Sequence, residues 1–144
     1  MTDENPRLTG TSAVLLVKDV LAAANHYRDA MGFAFDLWGD PPKFAILKRD
    51  GMYLSLKRAA DPKDIVPLRA VSDVPWNVYF WVTDADALHA EFVRKGAKID
   101  YAPCDQAYGC REFCALDIDG YGIGFGQIVG KSGRQLDDEV STIL

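Results

Sequence analysis

The hydrophobic and polar positions of the chain follow a pattern that occurs twice. Each occurrence has a short apolar run, an aspartate, a helical stretch that ends at a glycine, and an Asp-Gly pair between alternating runs. Short apolar runs rich in β-branched residues indicate buried strands, and Asp-Gly between alternating runs is a strong hairpin signal. The pattern therefore predicts two copies of one strand–helix–strand–strand–strand unit.

The first copy is expected to begin after a short polar lead. Asp19 is a good N-cap for its helix and Gly32 a good helix stop. The predicted elements are a strand at 11–17, a helix at 20–31, a strand at 33–38, and a hairpin of strands 44–48 and 52–57 around Asp50-Gly51.

The second copy repeats this order after a connector that contains three prolines. Asp84 takes the N-cap position and Gly96 the helix stop. The predicted elements are a strand at 77–82, a helix from 85 to about 95, a strand at 98–101, and a hairpin around Asp119-Gly120. The modules are thus residues 10–58 and 76–128, joined by a linker at 59–75. The polar tail at 129–144 is either a short helix or an arm.

The two copies align in order: 12–19 on 77–84, Gly32 on Gly96, and 50–56 on 119–125. One such unit buries its helix-facing side chains and leaves the other face of its sheet bare. We therefore expect a single α+β domain, residues 1–144, in which two βαβββ modules pair into a curved mixed sheet that encloses a cleft.

The alternation within each strand predicts which residues face the cleft. In the first strand of each copy, one of the two faces carries a polar residue, Ser12 or Asn77. We assign that face, with the alternating residues that share it, to the cleft. The full assignment is Ser12, Val14 and Leu16; Asn77, Tyr79 and Trp81; Tyr53, Ser55 and Lys57; and Gly122, Gly124 and Gly126. Three alternating glycines clear one face of a strand, which suggests close approach by a ligand or another backbone.

Composition and charge narrow the function classes. The 144 residues carry a net charge of −5 with a sequence pI of about 4.9, and no basic face suggests a nucleic-acid partner. Three cysteines within one short stretch, at 104, 110 and 114, do not form a disulfide framework and favour a reducing compartment. No apolar run is long enough for a membrane span, and the acidic N-terminus is unlike a signal peptide. We expect a soluble, cytoplasmic protein with no membrane partner.

The doubled pattern, with Tyr-Gly-Cys-Arg-Glu-Phe at 108–113 before the second Asp-Gly, resembles the glyoxalase/bleomycin resistance/extradiol dioxygenase family, the vicinal oxygen chelate superfamily. Metalloenzymes of that family hold a divalent cation at four positions, which the resemblance places at Ser12, Ser55, Asn77 and Gly124. None of these is a usual metal ligand. The resemblance therefore implies the branch that binds its ligand without metal and without turning it over.

From the resemblance we expect a homodimer that needs no cofactor and sequesters an aromatic or cationic compound. Asp36, Asp40, Asp105 and Glu112 are possible counter-charges. The expected ligand-binding residues are Trp38, Tyr53, Ser55, Asn77, Tyr79, Trp81, Tyr108, Arg111 and Gly124.

Two alternatives remain open. The first is a metal-dependent lyase or oxygenase of the same family with a relocated site, or with His26, His89 or Glu112 as a general base. The second is a non-catalytic interaction domain whose cleft is filled by its own aromatic side chains. Other catalytic signatures are missing, since the chain has no Gly-x-Ser-x-Gly, no phosphate-binding glycine loop and no His-Glu-x-x-His.

Overall fold

A computed structural model of the chain describes residues 5–130. The first module consists of β1 (Ser12–Val17), α1 (Val20–Met31), β2 (Ala34–Trp38), β3 (Phe44–Arg49) and β4 (Met52–Arg58). The connector contains a 3₁₀ turn (Pro62–Asp64) and the short helix α2 (Leu68–Val71). The second module consists of β5 (Val78–Trp81), α3 (Ala85–Arg94), β6 (Lys98–Asp105), β7 (Cys110–Leu116) and β8 (Gly122–Ile128). Apart from residues 129 and 130, the predicted tail lies outside the described residues.

The ends of the two long helices are set by the residues that the sequence pattern identified. The Asp19 carboxylate accepts a hydrogen bond from the Ala22 amide at 3.0 Å, and Asp84 does the same for Ala87. These bonds satisfy amide groups that have no partner within the helix. Gly32 ends α1 with a positive φ of 75°, a conformation that glycine adopts without steric cost.

The strands form two four-stranded mixed sheets, with the orders β1-β4-β3-β2 and β5-β8-β7-β6. In each sheet the first strand of the module runs parallel to the last, and the other pairs are antiparallel. The α+β fold of two βαβββ modules is therefore confirmed, although the hydrogen bonds make two sheets rather than one continuous sheet. Strand β6 runs to Asp105, four residues past the predicted end, through two register irregularities.

One hydrophobic core lies on the helix side of both sheets and spans the two modules. Its largest fully buried side chains include Tyr27 from α1, Phe92 from α3 and Phe113 from β7. Phe113 stacks on Phe125 with ring centroids 5.1 Å apart. Because the helix sides share this core, the opposite face of each sheet is left for other contacts.

Each module sends its hairpin turn to the helix of the other module. The Tyr27 hydroxyl of α1 donates to Asp117 Oδ2 at 2.6 Å, next to the β7–β8 turn. At the opposite end, Arg49 of the β3–β4 turn donates to both carboxylate oxygens of Glu91 on α3, at 2.7 and 3.0 Å. The two contacts hold the modules in a fixed relation. No helix in the described part of the chain is long and apolar enough to cross a membrane.

Candidate functional site

The candidate functional residues lie on the face of the second sheet that points away from α3. On β7 the core takes Phe113 and Ala115, so Glu112 and Cys114 project to the other face. On β5 the same alternation buries Phe80 against the core and leaves Tyr79 and Trp81 on the open face. This arrangement follows the alternation read from the sequence.

The glycines of β8 lie beneath two aromatic side chains of the chain itself. A Cβ atom at Gly124 would lie 2.7 Å from Tyr79 Cδ2 and 2.9 Å from Trp76 Cδ1, and a Cβ atom at Gly126 would collide with the Tyr79 hydroxyl. At Gly122 the neighbour is the backbone of Pro75. Close approach was the expected role of this stripe, and here the approaching groups are the protein's own.

Glu112 is the centre to which the aromatic side chains converge. Its side chain is buried, with the residue 1% exposed, and three tyrosines donate hydrogen bonds to its carboxylate. Tyr79 reaches Oε1 at 3.1 Å, Tyr108 also donates to Oε1, and Tyr101 donates to Oε2. A carboxylate group can accept from several donors at once, so this arrangement satisfies a buried acidic side chain without a cationic partner.

The three tyrosines stay protonated over the physiological range. Burial is the largest cause that raises the pKa of each hydroxyl well above its ordinary value, and the neighbouring Glu112 carboxylate raises it further. They therefore act as hydrogen-bond donors to Glu112 and not as bases. The cluster is suited to holding a charge in place and offers no ready proton acceptor among its hydroxyls.

A pocket of about 480 Å³ opens beside this cluster. That volume is in the range of small-molecule sites. Its lining residues are Asp73, Val74, Pro75, Trp76, Tyr101, Cys104, Gln106, Tyr108 and Glu112. Trp76 Nε1 is buried there without a hydrogen-bond partner, and the Gln106 side-chain amide donates to Cys104 Sγ at 3.3 Å. The pocket thus joins flat aromatic surfaces, two acidic groups and a few polar atoms.

Three of the expected ligand-binding residues belong to this cluster: Tyr79, Tyr108 and Gly124. Three others lie on the first sheet. Trp38 is half-exposed against Phe44, and Tyr53 packs under Lys48, whose Nζ atom is 5.6 Å from the ring centroid. Ser55 is buried and shares a hydrogen bond with Ser12.

The remaining three expected residues have other neighbours. Asn77 Oδ1 accepts from the Leu68 amide at 2.7 Å and so holds α2. Arg111 pairs with Asp86 and Asp105. Trp81 is half-exposed, packs edge-on against Tyr79 with ring centroids 5.2 Å apart, and lines a second pocket between the modules. None of these three lines the pocket beside Glu112.

The four positions that hold the divalent cation in the family's metalloenzymes do not form a metal site in this chain. Ser12 Oγ and Ser55 Oγ bond to each other at 2.7 Å, and Asn77 is used by α2. Gly124 has no donor, and the space above it holds Tyr79 and Trp76. Over residues 5–130, no group of three or more His, Cys, Asp and Glu side chains could hold a metal ion elsewhere. These residues do not fit the divalent cation of the family's metalloenzymes.

The two histidines lie on the helices and do not reach the pocket. Burial lowers the pKa of His26, and His89 packs edge-on against Phe113 in the core. Glu112 is the one proposed general base that lines the pocket, and its carboxylate already accepts three hydroxyls.

Sequence reasoning missed Tyr101 and Trp76 as site residues, and named Glu112 only as a possible counter-charge or general base and not as a ligand-binding residue. The signal for Glu112 was present, because it is the single acidic residue of β7, a strand whose other residues are apolar apart from Arg111. Tyr101 was hidden because β6 is irregular: the pairing shifts on both sides of it. Trp76 precedes its strand, where the alternation of faces does not apply.

Comparisons with solved structures find the same fold in other proteins. TioX from Micromonospora sp. ML1 superposes with a TM-score of 0.66 at 21% identity, covering 83% of this chain and 98% of that one. A glyoxalase/bleomycin resistance protein/dioxygenase from Nocardioides gives 0.63 at 20%, covering 91% of each chain. Lactoylglutathione lyase from Agrobacterium tumefaciens gives 0.62 at 20%, covering 85% and 96%.

These identities establish a shared fold and no more. No curated protein matches the sequence significantly. The sequence profile of one family does match, over residues 11–125, which is most of the chain. The chain belongs to the Glyoxalase/Bleomycin resistance protein/Dioxygenase superfamily.

Proposed function

We propose that this protein binds an aromatic or cationic small molecule without a metal ion, in the pocket beside Glu112, and acts by sequestering it. The observation that carries the proposal is the buried Glu112 carboxylate within a set of aromatic side chains. It lies in the module where the family's metalloenzymes place two of their ligands, and here those two positions are Asn77 and Gly124.

The chemistry of the pocket favours a planar cation. Trp76, Tyr101 and Tyr108 offer aromatic surface, and Glu112 and Asp73 offer negative charge. A cation held over an aromatic ring in a desolvated site gains on the order of 1–2 kcal/mol. Arg111, the nearest basic residue in sequence, is paired with Asp86 and Asp105 and does not line the pocket.

A matched pair of tricyclic probes tests the proposal. Proflavine is cationic near neutral pH, and acridine is its neutral parent. The protein should be stabilised against thermal unfolding by proflavine, and a ligand at 100 times its dissociation constant adds roughly 2.7 kcal/mol. Proflavine should bind at least about tenfold more tightly than acridine, because only the cation gains the attraction to the aromatic rings and the carboxylates. Equal affinity for the two probes would show that the positive charge of the ligand does not contribute to binding.

We also propose that two copies associate through the open face of the first sheet. Val14 is 57% exposed there, and Trp38 and Tyr53 are partly exposed on the same face. Exposed apolar side chains clustered on a sheet mark an interaction surface. Light scattering after size exclusion should give twice the chain mass, and Val14→Asp should shift the protein to the monomer. A monomeric wild type would contradict this part of the proposal.

The setting we propose is the cytoplasm, in agreement with the three cysteines at 104, 110 and 114, none of which forms a disulfide.

One observation favours a second candidate, a non-catalytic interaction domain. Tyr79 and Trp76 already fill the groove over Gly124, as expected if the cleft is closed by its own aromatic residues. Such a domain would give no thermal response to either tricyclic probe or to related aromatic cations. A flat response across that panel would favour this candidate over small-molecule binding.

A further inference from the structure

The internal duplication produces two equivalent junctions between the modules, and the described part of the chain closes only one of them. In the alignment of the copies, Tyr121 corresponds to Met52, and Leu16 corresponds to Trp81. At the closed junction the Tyr121 ring is buried, 3% exposed, and its hydroxyl donates to the Leu16 carbonyl at 2.6 Å. One phenol ring therefore fills the space between the β7–β8 turn and the first strand.

At the other junction no side chain from residues 5–130 takes that place. Met52 is 54% exposed and Trp81 is 49% exposed. Next to these two residues is a pocket of about 470 Å³, with an apolar lining of Phe33, Phe80, Leu88, Phe92 and Phe125. Phe92 corresponds to Tyr27 of the closed junction and Phe125 to Leu56, so the walls are equivalent while the filling ring is missing.

We propose that this junction pocket is a second binding site, which takes a small neutral phenolic compound. The occupant is inferred from the chain itself, because the equivalent space accommodates the phenol of Tyr121. The phenol is expected in its neutral form because the lining offers no uncompensated cation to a phenolate: Arg49 pairs with Glu91 and Asp50, and Asp84 adds a further negative charge. Thr83 and Asp84 provide polar atoms at the rim for the phenolic hydroxyl.

This site is separate from the one proposed to bind cations. The pocket beside Glu112 and the junction pocket share no lining residue. Trp76 lines the first and Trp81 the second, but both indoles pack against Tyr79, with ring centroids 4.7 and 5.2 Å away. Leu88 and Phe92, which line only the junction pocket, therefore separate the two sites.

The probe that tests the proposal is p-cresol, which has the shape of a tyrosine side chain. Titrated into the full-length protein and followed by amide and indole NMR signals, it should shift Trp81, Leu88 and Phe92 saturably. A dissociation constant of about 0.1–1 mM is expected for a ligand of this size. Met52→Tyr should weaken this binding by about tenfold or more, because it supplies the missing ring from the chain.

The matched control is Ile118→Tyr, which adds the same phenol at the exposed position of the other turn. It should leave p-cresol affinity unchanged. Absence of saturable shifts, shifts confined to Trp76 and Tyr108, or unchanged affinity in Met52→Tyr would each overturn the proposal. Proflavine binding is followed at Tyr108 and p-cresol binding at Leu88 and Phe92, so loss of binding at one site is distinguishable from loss at the other.

Discussion

The ring of Tyr79 lies directly over Gly124, and its hydroxyl donates to Glu112 Oε1 at 3.1 Å. The glycine is required by the ring, since a Cβ atom at that position would lie 2.7 Å from Tyr79 Cδ2. Residue 124 therefore has two consequences in this chain. It removes a ligand that a metalloenzyme of the family needs, and it makes room for the aromatic residue that holds the buried carboxylate.

The first prediction concerns this contact. Gly124→Ala should destabilise the protein by about 1–3 kcal/mol, because the added methyl group must displace Tyr79 or Trp76. Urea unfolding measures the loss. Gly10→Ala is the matched control, since nothing lies within 4 Å of a Cβ atom there, and it should leave stability almost unchanged. Equal stability of the two variants would show that the ring does not depend on the glycine.

The second prediction concerns the buried Asp117 at the closed junction. Burial raises the pKa of its carboxyl group to about 6. Hydrogen bonds from the Tyr27 hydroxyl and from the amides of Asp119 and Tyr121 lower the pKa, but by less than burial raises it. A raised pKa means that the folded state prefers the protonated form. The free energy of unfolding should therefore fall as pH rises from about 4 to about 7, by about 3 kcal/mol from this group.

Asp117→Asn removes that titration and keeps the shape of the side chain. Urea unfolding of both proteins across this pH range should show the wild type losing stability relative to the variant as pH rises. Asp119 and His26, which also titrate nearby, are present in both proteins, so the difference isolates Asp117. A constant difference across the range would contradict the assignment.

The third prediction concerns the ion pair at the open junction. Hydrogen bonding from Arg49 lowers the pKa of Glu91 to about 2. A carboxyl group whose pKa is lowered by folding stabilises the protein at pH values above its pKa in the unfolded state. That stabilisation is lost as the pH falls towards the pKa in the folded state. Glu91→Gln should cost about 1–2 kcal/mol near neutral pH, since the pair is bidentate but partly exposed.

The cost of Glu91→Gln should shrink as pH falls below about 4. Asp29→Asn is the control, because the Arg28–Asp29 pair is largely exposed and its removal should have little effect at any pH. A cost that does not change with pH would mean that packing, and not the charge pair, explains the loss.

Much of the fold could be predicted from the sequence because its signals are local. Asp19 and Asp84 cap the helices where the pattern placed them, and the duplicated Asp-Gly turns fix both hairpins. The alternation of faces was also readable, since the core takes Leu15 and Val17 and leaves Val14 outside.

The site was harder to predict because it depends on distances between strands. Nothing in the local sequence of Tyr101, Tyr79 and Tyr108 indicates that their hydroxyls meet on Glu112. The glycine stripe correctly indicated close approach, but one sequence does not say whether a ligand or a tyrosine ring fills the space. Trp81 packs beside Tyr79 as expected, with ring centroids 5.2 Å apart, but it also lines the junction pocket, which the sequence did not indicate.

The most direct test of the account is calorimetric titration of proflavine after dialysis of the protein against EDTA, with the wild type and the nearly isosteric Glu112→Gln. The carboxamide keeps the shape of the cluster and removes its charge. We expect saturable binding by the wild type that EDTA leaves unchanged, and at least about tenfold weaker binding by Glu112→Gln. Trp38→Ala, on the other sheet, should bind like the wild type. Binding that EDTA abolishes and a divalent metal restores, or that Glu112→Gln leaves intact, would contradict the account.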